Sequence, residues 1–297
     1  MSQFLDAAAR KKAQEIRSIR APVFDLRLSM GCGQVFGWEW YGDWCIGVIG
    51  GSAVALKQAG GEIQYISEGG AGPAAIRAYL GLDKDYRRIT RSISRDDFMK
   101  RAVRAGRGLR VLKQDPWPCL GSYILSSNNR IERIQSLVME ISLRMGEALS
   151  VGGRQVNAFP EPEVLAACRE ADIRSCGAGF RSPYLNESAR MIAAGEVDLD
   201  ELADLPYDQA KETLKRLPGV GEKVADCVLL FAFSKGEAFP VDVWIKRAVE
   251  RVYFNSRDLK VREIHEFARS HFGKYAGYAQ EYIYHYAREG GLEQIAG

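Results

Sequence analysis

The stretch Lys215–Phe254, KRLPGVGEKVADCVLLFAFSKGEAFPVDVWIKRAVERVYF, decides how this chain is read. A helical pattern over Tyr207–Arg216 runs directly into Leu217-Pro218-Gly219-Val220-Gly221, and the spacing predicts a second helix from Glu222. Gly219 and Gly221 allow a tight turn, and Ala225 is small enough for two helices to approach closely. A helix-hairpin-helix of this kind points backbone N–H groups outward at a helix N-terminus, where they suit a phosphate. Such a contact grips backbone and carries no base information. The same residues also fit an ordinary αα-hairpin with a glycine turn.

Lys223 lies two residues after Gly221, and Asp242 follows nineteen positions later in Pro240-Val241-Asp242-Val243. The amphipathic stretch Trp244–Tyr253 begins just beyond it. Asp242 suits a helix N-cap, where the dipole favours its ionised form. Lys223 alone reads equally as a solvated phosphate contact, and Asp242 alone as a cap. Together, after this hairpin, they form a pair with a chemical use.

Outward from this segment the composition is that of an ordinary globular chain. With 297 residues, 46% hydrophobic and 27% charged, it predicts about two domains. Lys and Arg number 41 against 38 Asp and Glu, a net charge of +3, so any nucleic-acid contact must come from placed cations. The longest apolar stretches, Val228–Phe233 and Cys45–Leu56, fall short of the roughly 20 residues a membrane helix needs. Residues 1–20 mix acids and bases and lack the apolar centre of a secretory signal. Six cysteines stand without CxxC spacing, which argues against a zinc ribbon, an iron–sulfur cluster or a disulfide framework. The expectation is a soluble, reduced, intracellular protein with no membrane attachment.

Residues 1–20 read as a short helix with a basic bias. Strand-like segments follow to about Ile66: Val23–Leu28 alternates, Asp43–Ile49 is bulky and apolar, and Gly50-Gly51 is a hairpin signal before Ser52–Leu56. Glu68–Pro73 reads as loop. From Ala74 onward helical patterns dominate, punctuated by Pro and Gly, with segments at Arg130–Met145, Pro162–Ala171 and Tyr184–Ala194. Asn128 or Asn129 is placed to cap the first of these. No internal repeat is evident. The fold class is therefore α+β: a small N-terminal antiparallel β-sheet domain (1–95) and a mainly α-helical domain (96–297), with the hairpin at about 207–233.

Four separated segments resemble, in order, the 8-oxoguanine DNA glycosylases of the helix-hairpin-helix superfamily. They are GQVF (Gly33–Phe36), QDPWPCLGSYILSSNNRIERI (Gln114–Ile134), LPGVGEKVADC with PVDV, and YAGYAQEYIYHY (Tyr275–Tyr286). The resemblance covers about residue 22 to the C-terminus. It implies base-excision repair of duplex DNA carrying 8-oxoguanine, with glycosylase and strand-nicking lyase activities. A base inside the stack is out of reach, so such enzymes extrude the damaged nucleotide into a pocket.

The resemblance implies a role for each matching residue. Lys223 is the nucleophile that attacks sugar C1′, and a lysine amine attacks only when neutral. Asp242 assists it and stabilises the cationic sugar, since a fixed carboxylate is useful where positive charge develops. The Gly33 carbonyl accepts from N7–H of 8-oxoguanine, a donor ordinary guanine lacks; from the residues alone Gly33 also reads as a strand-end turn glycine. Cys227 and Tyr284, which also read as core packing, sandwich the base, and Gln280, four residues from Tyr284 and on the same helix face, meets its pairing edge. Phe180 is the wedge, Asn128 fills the vacated space, and Arg133 and Arg181 read the opposite cytosine. Apart from the resemblance, Phe180 reads as core and both arginines as solvated surface. Gly219 and Gly221 hold a DNA phosphate.

Two positions depart from the eukaryotic pattern. Trp244 stands where those members have a histidine, and Ala287 where they have its acidic partner, which puts a phosphate contact by residue 244 in doubt. Arg130 replaces a third asparagine and offers a phosphate contact of its own. No metal site and no required cofactor are expected, with a structural monovalent cation on the hairpin carbonyls as the one addition. The expected form is a monomer, cytoplasmic or nucleoid-associated in a bacterium and nuclear in a eukaryote. Rival readings are a glycosylase for other damaged purines, against which Lys223 stands, and a non-catalytic DNA-binding module, which needs neither Asp242, Gly33 nor Gln280.

Overall fold

The computed structural model describes residues 16–293. Five strands, β1 (Arg17–Arg20), β2 (Glu39–Tyr41), β3 (Trp44–Ile49), β4 (Ser52–Ala59) and β5 (Glu62–Glu68), form one antiparallel sheet in the order β1-β5-β4-β3-β2. Gly50 and Gly51 both have positive φ (54° and 71°) and pair Ile49 with Ser52, the two-residue turn whose twist suits a hairpin. Along β3 and β4 the faces alternate. Cys45, Ile49, Val54 and Leu56 pack with Ile63, Tyr65, Ile76 and Tyr79, while Trp44, Ile46, Ala53 and Ala55 face the other way. Both faces are buried, which is why the strands read as nearly continuous apolar runs.

That second face is covered by an element the sequence reading missed. β6 (Ala148–Val151) and β7 (Arg154–Asn157) form a hairpin whose Val151 and Val156 pack on Trp44, Ile46 and Ile66. Gly152-Gly153, taken as punctuation between helices, makes the same kind of turn as Gly50-Gly51, with φ of 58° and 77°.

Three further local expectations are corrected. Residues 17–20 form β1 rather than the end of a helix, paired from Ile19 to Ile63; the rest of that expected helix, residues 1–15, lies outside the described residues. Val23–Leu28 is not a strand: Leu26–Gly31 is a short helix, because Asp25 accepts from Leu28 N at 2.8 Å and caps it. Neither Asn128 nor Asn129 caps the Ile131–Met145 helix, whose N-cap is Arg130 with no side-chain bond. Asn128 adopts a left-handed φ of 51°, and Asn129 Nδ2 donates back to Leu125 O at 2.9 Å, so the asparagines close the preceding helix.

The helical part has two apolar clusters. One surrounds Pro116–Leu125 and the hairpin helices Tyr207–Leu214 and Glu222–Phe231; the other surrounds Val243–Tyr253, Val261–Phe272 and Ala276–Tyr286. Gly277 lets the last of these helices press against its neighbours, since an added Cβ would lie 2.4 Å from Leu230 Cδ1 and 2.6 Å from Ala238 O. The hairpin helices are also joined by charge. Asp226, fully buried, accepts from Tyr207 Oη at 2.5 Å and lies 3.0 Å from Lys211 Nζ, with His265 Nε2 at 3.2 Å. Lys211 and Lys215 also hold Glu222, whose carboxyl their hydrogen bonds pull down to about 2.

The sheet and helices meet at Gln34. This buried side chain donates to Ser29 O at 2.8 Å and Arg110 O at 2.7 Å and accepts from Leu112 N at 2.9 Å. Its backbone carbonyl accepts from Gln114 Nε2 and Tyr123 Oη. The turn bearing Gly33 is thus fixed from both sides.

Candidate active site

Lys223 sits in the first turn of Glu222–Phe231, the only half-exposed position in a run that is otherwise buried from Val224 to Phe231. Its ammonium lies 5.1 Å from the centroid of the buried Tyr123 ring, and Nζ donates to Ser126 Oγ at 3.4 Å. Tyr123 is itself stacked on Phe231, so the platform under the lysine is rigid. Lys223 has no ion pair among the described residues.

Asp242 caps the Val243–Tyr253 helix by accepting from Ile245 N at 2.8 Å. Burial pushes its carboxyl up, opposed by the Ile245 N–H and the nearby Lys223 cation. The expected cap is present, and its carboxylate and the lysine face one cavity of about 1330 Å³.

Eight of the twelve residues singled out from the sequence line that cavity: Gly33, Asn128, Arg133, Gly219, Gly221, Lys223, Asp242 and Tyr284. Gly219 has the left-handed φ of 79° that its turn demands, with Tyr184 against it. Gly221 is the N-cap of the lysine helix, in extended backbone, and open space surrounds the position of a would-be Cβ. Backbone N–H groups there are approachable from outside. Arg133 Nη2 donates to Gly177 O at 3.1 Å from the cavity wall.

The other four lie apart from the lining. Cys227 and Gln280 are buried, one turn after Lys223 and one turn before Tyr284 respectively. Burial raises the Cys227 thiol to about 12, so it is no thiolate. Gln280 Oε1 is buried with no hydrogen-bond partner. Phe180 is 51% exposed, at odds with its reading as a core residue. Arg181 is only 7% exposed, so its reading as solvated surface is overturned. It donates to Ser127 O at 2.7 Å and Asn128 O at 3.1 Å, clamping the asparagine loop, and its Cζ lies 4.2 Å from the Phe180 ring centroid.

Sequence reasoning missed four neighbours of the site. Ser126 touches the lysine, Cys32 and Glu281 pair behind Gly33, and Arg288 lines the cavity beside Tyr284. The one available signal was Glu281, the single acid of the Ala276–Tyr286 stretch.

A lysine over a buried ring, a capping carboxylate and a glycine hairpin with approachable backbone N–H groups stand around one cavity. Residues 122–274 match the model of the HhH-GPD superfamily of base excision DNA repair proteins, and the chain belongs to that superfamily. Residues 16–120 match the 8-oxoguanine DNA glycosylase N-terminal domain. The chain is similar to N-glycosylase/DNA lyase OGG1 of Arabidopsis thaliana, 32% identical over 282 residues, 87% of this chain and 76% of the relative. A relative in Methanothermobacter thermautotrophicus, named a probable N-glycosylase/DNA lyase, is 38% identical over 63% of this chain, and the match spans 66% of that protein. The Clostridium acetobutylicum 8-oxoguanine glycosylase/lyase, solved with double-stranded DNA containing cytosine opposite 8-oxoG, superposes with a TM-score of 0.85 at 33% identity. That match covers 93% of this chain and 98% of the other. Among the described residues no helix is long and apolar enough to cross a membrane.

Proposed function

We propose that the protein excises 8-oxoguanine from double-stranded DNA and then nicks the strand at the emptied sugar, as a bifunctional glycosylase and lyase. The observation that carries this is the placing of Lys223 Nζ and the Asp242 carboxylate on the wall of one cavity with Gly33 and Tyr284. The similarity to named N-glycosylase/DNA lyases supports the same reaction.

The chemistry follows from the groups present. The Lys223 nitrogen lone pair bonds to C1′ as the C1′–N9 bond breaks, and that bond's electrons leave with the base. Asp242 holds negative charge where the sugar turns cationic. The nitrogen sheds a proton and its lone pair opens the sugar, breaking C1′–O4′ as O4′ takes up a proton, to give a C1′=N Schiff base; loss of a C2′ proton from it breaks C3′–O3′ and expels the 3′ phosphate. Gly33 accepts from the lesion's N7–H, with Tyr284 and Cys227 against the base faces and Gln280 at its pairing edge. Phe180 and Asn128 occupy the gap, while Arg133 and Arg181 donate to a cytosine opposite. The enzyme acts as a monomer, and a monovalent cation on the hairpin carbonyls is the only bound group this reading calls for.

Borohydride reduction on an 8-oxoguanine duplex tests it. The wild-type protein is expected to be trapped covalently, and Lys223→Gln to lose trapping while still binding DNA. Undiminished trapping of the variant would assign the nucleophile to another amine. No trapping of the wild type across a lesion panel would sink the function itself.

A further inference from the structure

We infer that Arg247, Arg251 and Arg288 form a second anion pocket, which takes a backbone phosphate of the damaged strand beside the extruded nucleotide. The inference rests on the excision reading above. A cavity of about 500 Å³ lies against the catalytic one, and Trp244 and Arg288 line both, so the two share a wall.

Trp244, Arg247 and Arg251 are three and four residues apart and therefore follow one stripe of the Val243–Tyr253 helix. The stripe starts two residues past Asp242 and runs for about 10 Å, roughly three base-pair rises along a strand. Among the described residues, Arg247, Arg251 and Arg288 make no ion pair. Some helical arginines are matched on their own helix, Arg144 by Glu140, Arg190 by Glu187 and Arg262 by Glu266. Glu250 in the pocket is already engaged, by Lys246 at 3.4 Å and by Leu259 N at 2.8 Å. Glu293 at the edge is the other carboxylate and pairs with none of the three.

Three guanidinium groups around one cavity repel each other unless an anion joins them, and their planar donors fit phosphate oxygens two at a time. Arg288 stands at the boundary. Its Nη1 donates to Cys32 O at 3.4 Å and its Cζ is 5.5 Å from the Tyr284 ring centroid, leaving further donors for a ligand. Being continuous with the sugar-attacking site, the pocket is reached by the same strand. A polyanion passing the lysine must leave the cavity somewhere, and this flank carries Arg247 and Arg251 on one helix, neither held in an ion pair among the described residues.

The test uses a duplex holding a non-cleavable abasic analogue, with each nearby phosphate of that strand replaced in turn by a neutral methylphosphonate. Wild-type affinity is expected to fall about tenfold at one or two positions adjacent to the analogue. Arg247→Ala/Arg251→Ala should bind about tenfold more weakly overall, lose sensitivity at those same positions, and show a salt slope shallower by about 0.9 per lost contact. Arg247→Lys/Arg251→Lys, keeping charge, should recover part of both. A double alanine variant with wild-type affinity and an unchanged position profile overturns the pocket. Borohydride trapping of the wild type on 8-oxoguanine DNA runs alongside. Trapping with an unchanged profile rejects the pocket alone, whereas failure to trap rejects the excision reading.

Discussion

Cys32 Sγ donates a hydrogen bond to Glu281 Oε1 at 3.2 Å across 249 residues of sequence. The bond ties the turn carrying Gly33 to the helix carrying Gln280 and Tyr284, so groups proposed to meet different sides of the base are held by one contact. Glu281 is buried, and burial raises its carboxyl to about 7. The Cys32 hydrogen bond and Arg288 oppose the rise, and Asp242 adds to it. Burial and the same carboxyl keep the Cys32 thiol protonated.

This pair predicts a pH dependence of stability. The folded-state pKa of Glu281 lies above its unfolded value of 4.5, so the folded protein binds the extra proton between about 4.5 and 7. Stability from this group is therefore full below 4.5, falls as pH rises towards 7, and is flat above. The loss is at most about 3 kcal/mol. Urea unfolding of Glu281→Gln at pH 5 and pH 8 should show a difference between the two pH values smaller than wild type by up to that amount. Equal differences would mean the carboxyl does not titrate in the window.

Asp242→Asn should separate the cap from the chemistry. Asparagine caps helices as well as aspartate does, so the melting temperature should move by less than the equivalent of about 1 kcal/mol. Single-turnover excision should fall by at least about a hundredfold, because the fixed negative charge is gone. A variant that excises normally would reduce Asp242 to a cap.

For Phe180→Ala the expected loss falls on DNA binding. Its ring is 51% exposed, so unfolding free energy should stay within about 0.5 kcal/mol of wild type. Affinity for a lesion duplex should drop more than affinity for an intact one, measured by competition under one salt condition. Equal drops would mean the ring does not enter the stack.

Asp226→Ala removes the buried partner of Lys211, His265 and Tyr207. Lys211 keeps Glu222 at 2.8 Å, so losing the buried acceptor should cost about 1–3 kcal/mol in urea unfolding. A cost below about 1 kcal/mol would show that the pair is not structural.

What could be read without coordinates was what the chain specifies locally. The Gly219 turn, the Asp242 cap and the Gly50-Gly51 hairpin are each set by residues within a few positions, and all three are present. The misreadings share a different cause. Asp25 turned an alternating run into a helix, and the asparagine loop was bound backwards to Leu125 and sideways by Arg181, leaving no side chain to cap the next helix. Cys32–Glu281 and all but the Ser29 bond of the Gln34 network depend on partners 76 to 249 residues away, which no local pattern encodes. Arg288 was passed over because an exposed arginine is unremarkable until the cavities on both sides of it are seen.

The hairpin of β6 and β7 makes the two halves of the sequence interdependent. Val151 and Val156 seal the outer side of a sheet assembled almost a hundred residues earlier, over Trp44, Ile46 and Ile66. Severing the polypeptide anywhere between Glu68 and Ala148 leaves the amino-terminal fragment with a bare oily surface, prone to self-association. The fragments are therefore expected to recover only when co-expressed, and any transplant of the lysine-bearing portion onto another scaffold must bring this clasp, or a replacement for it, along.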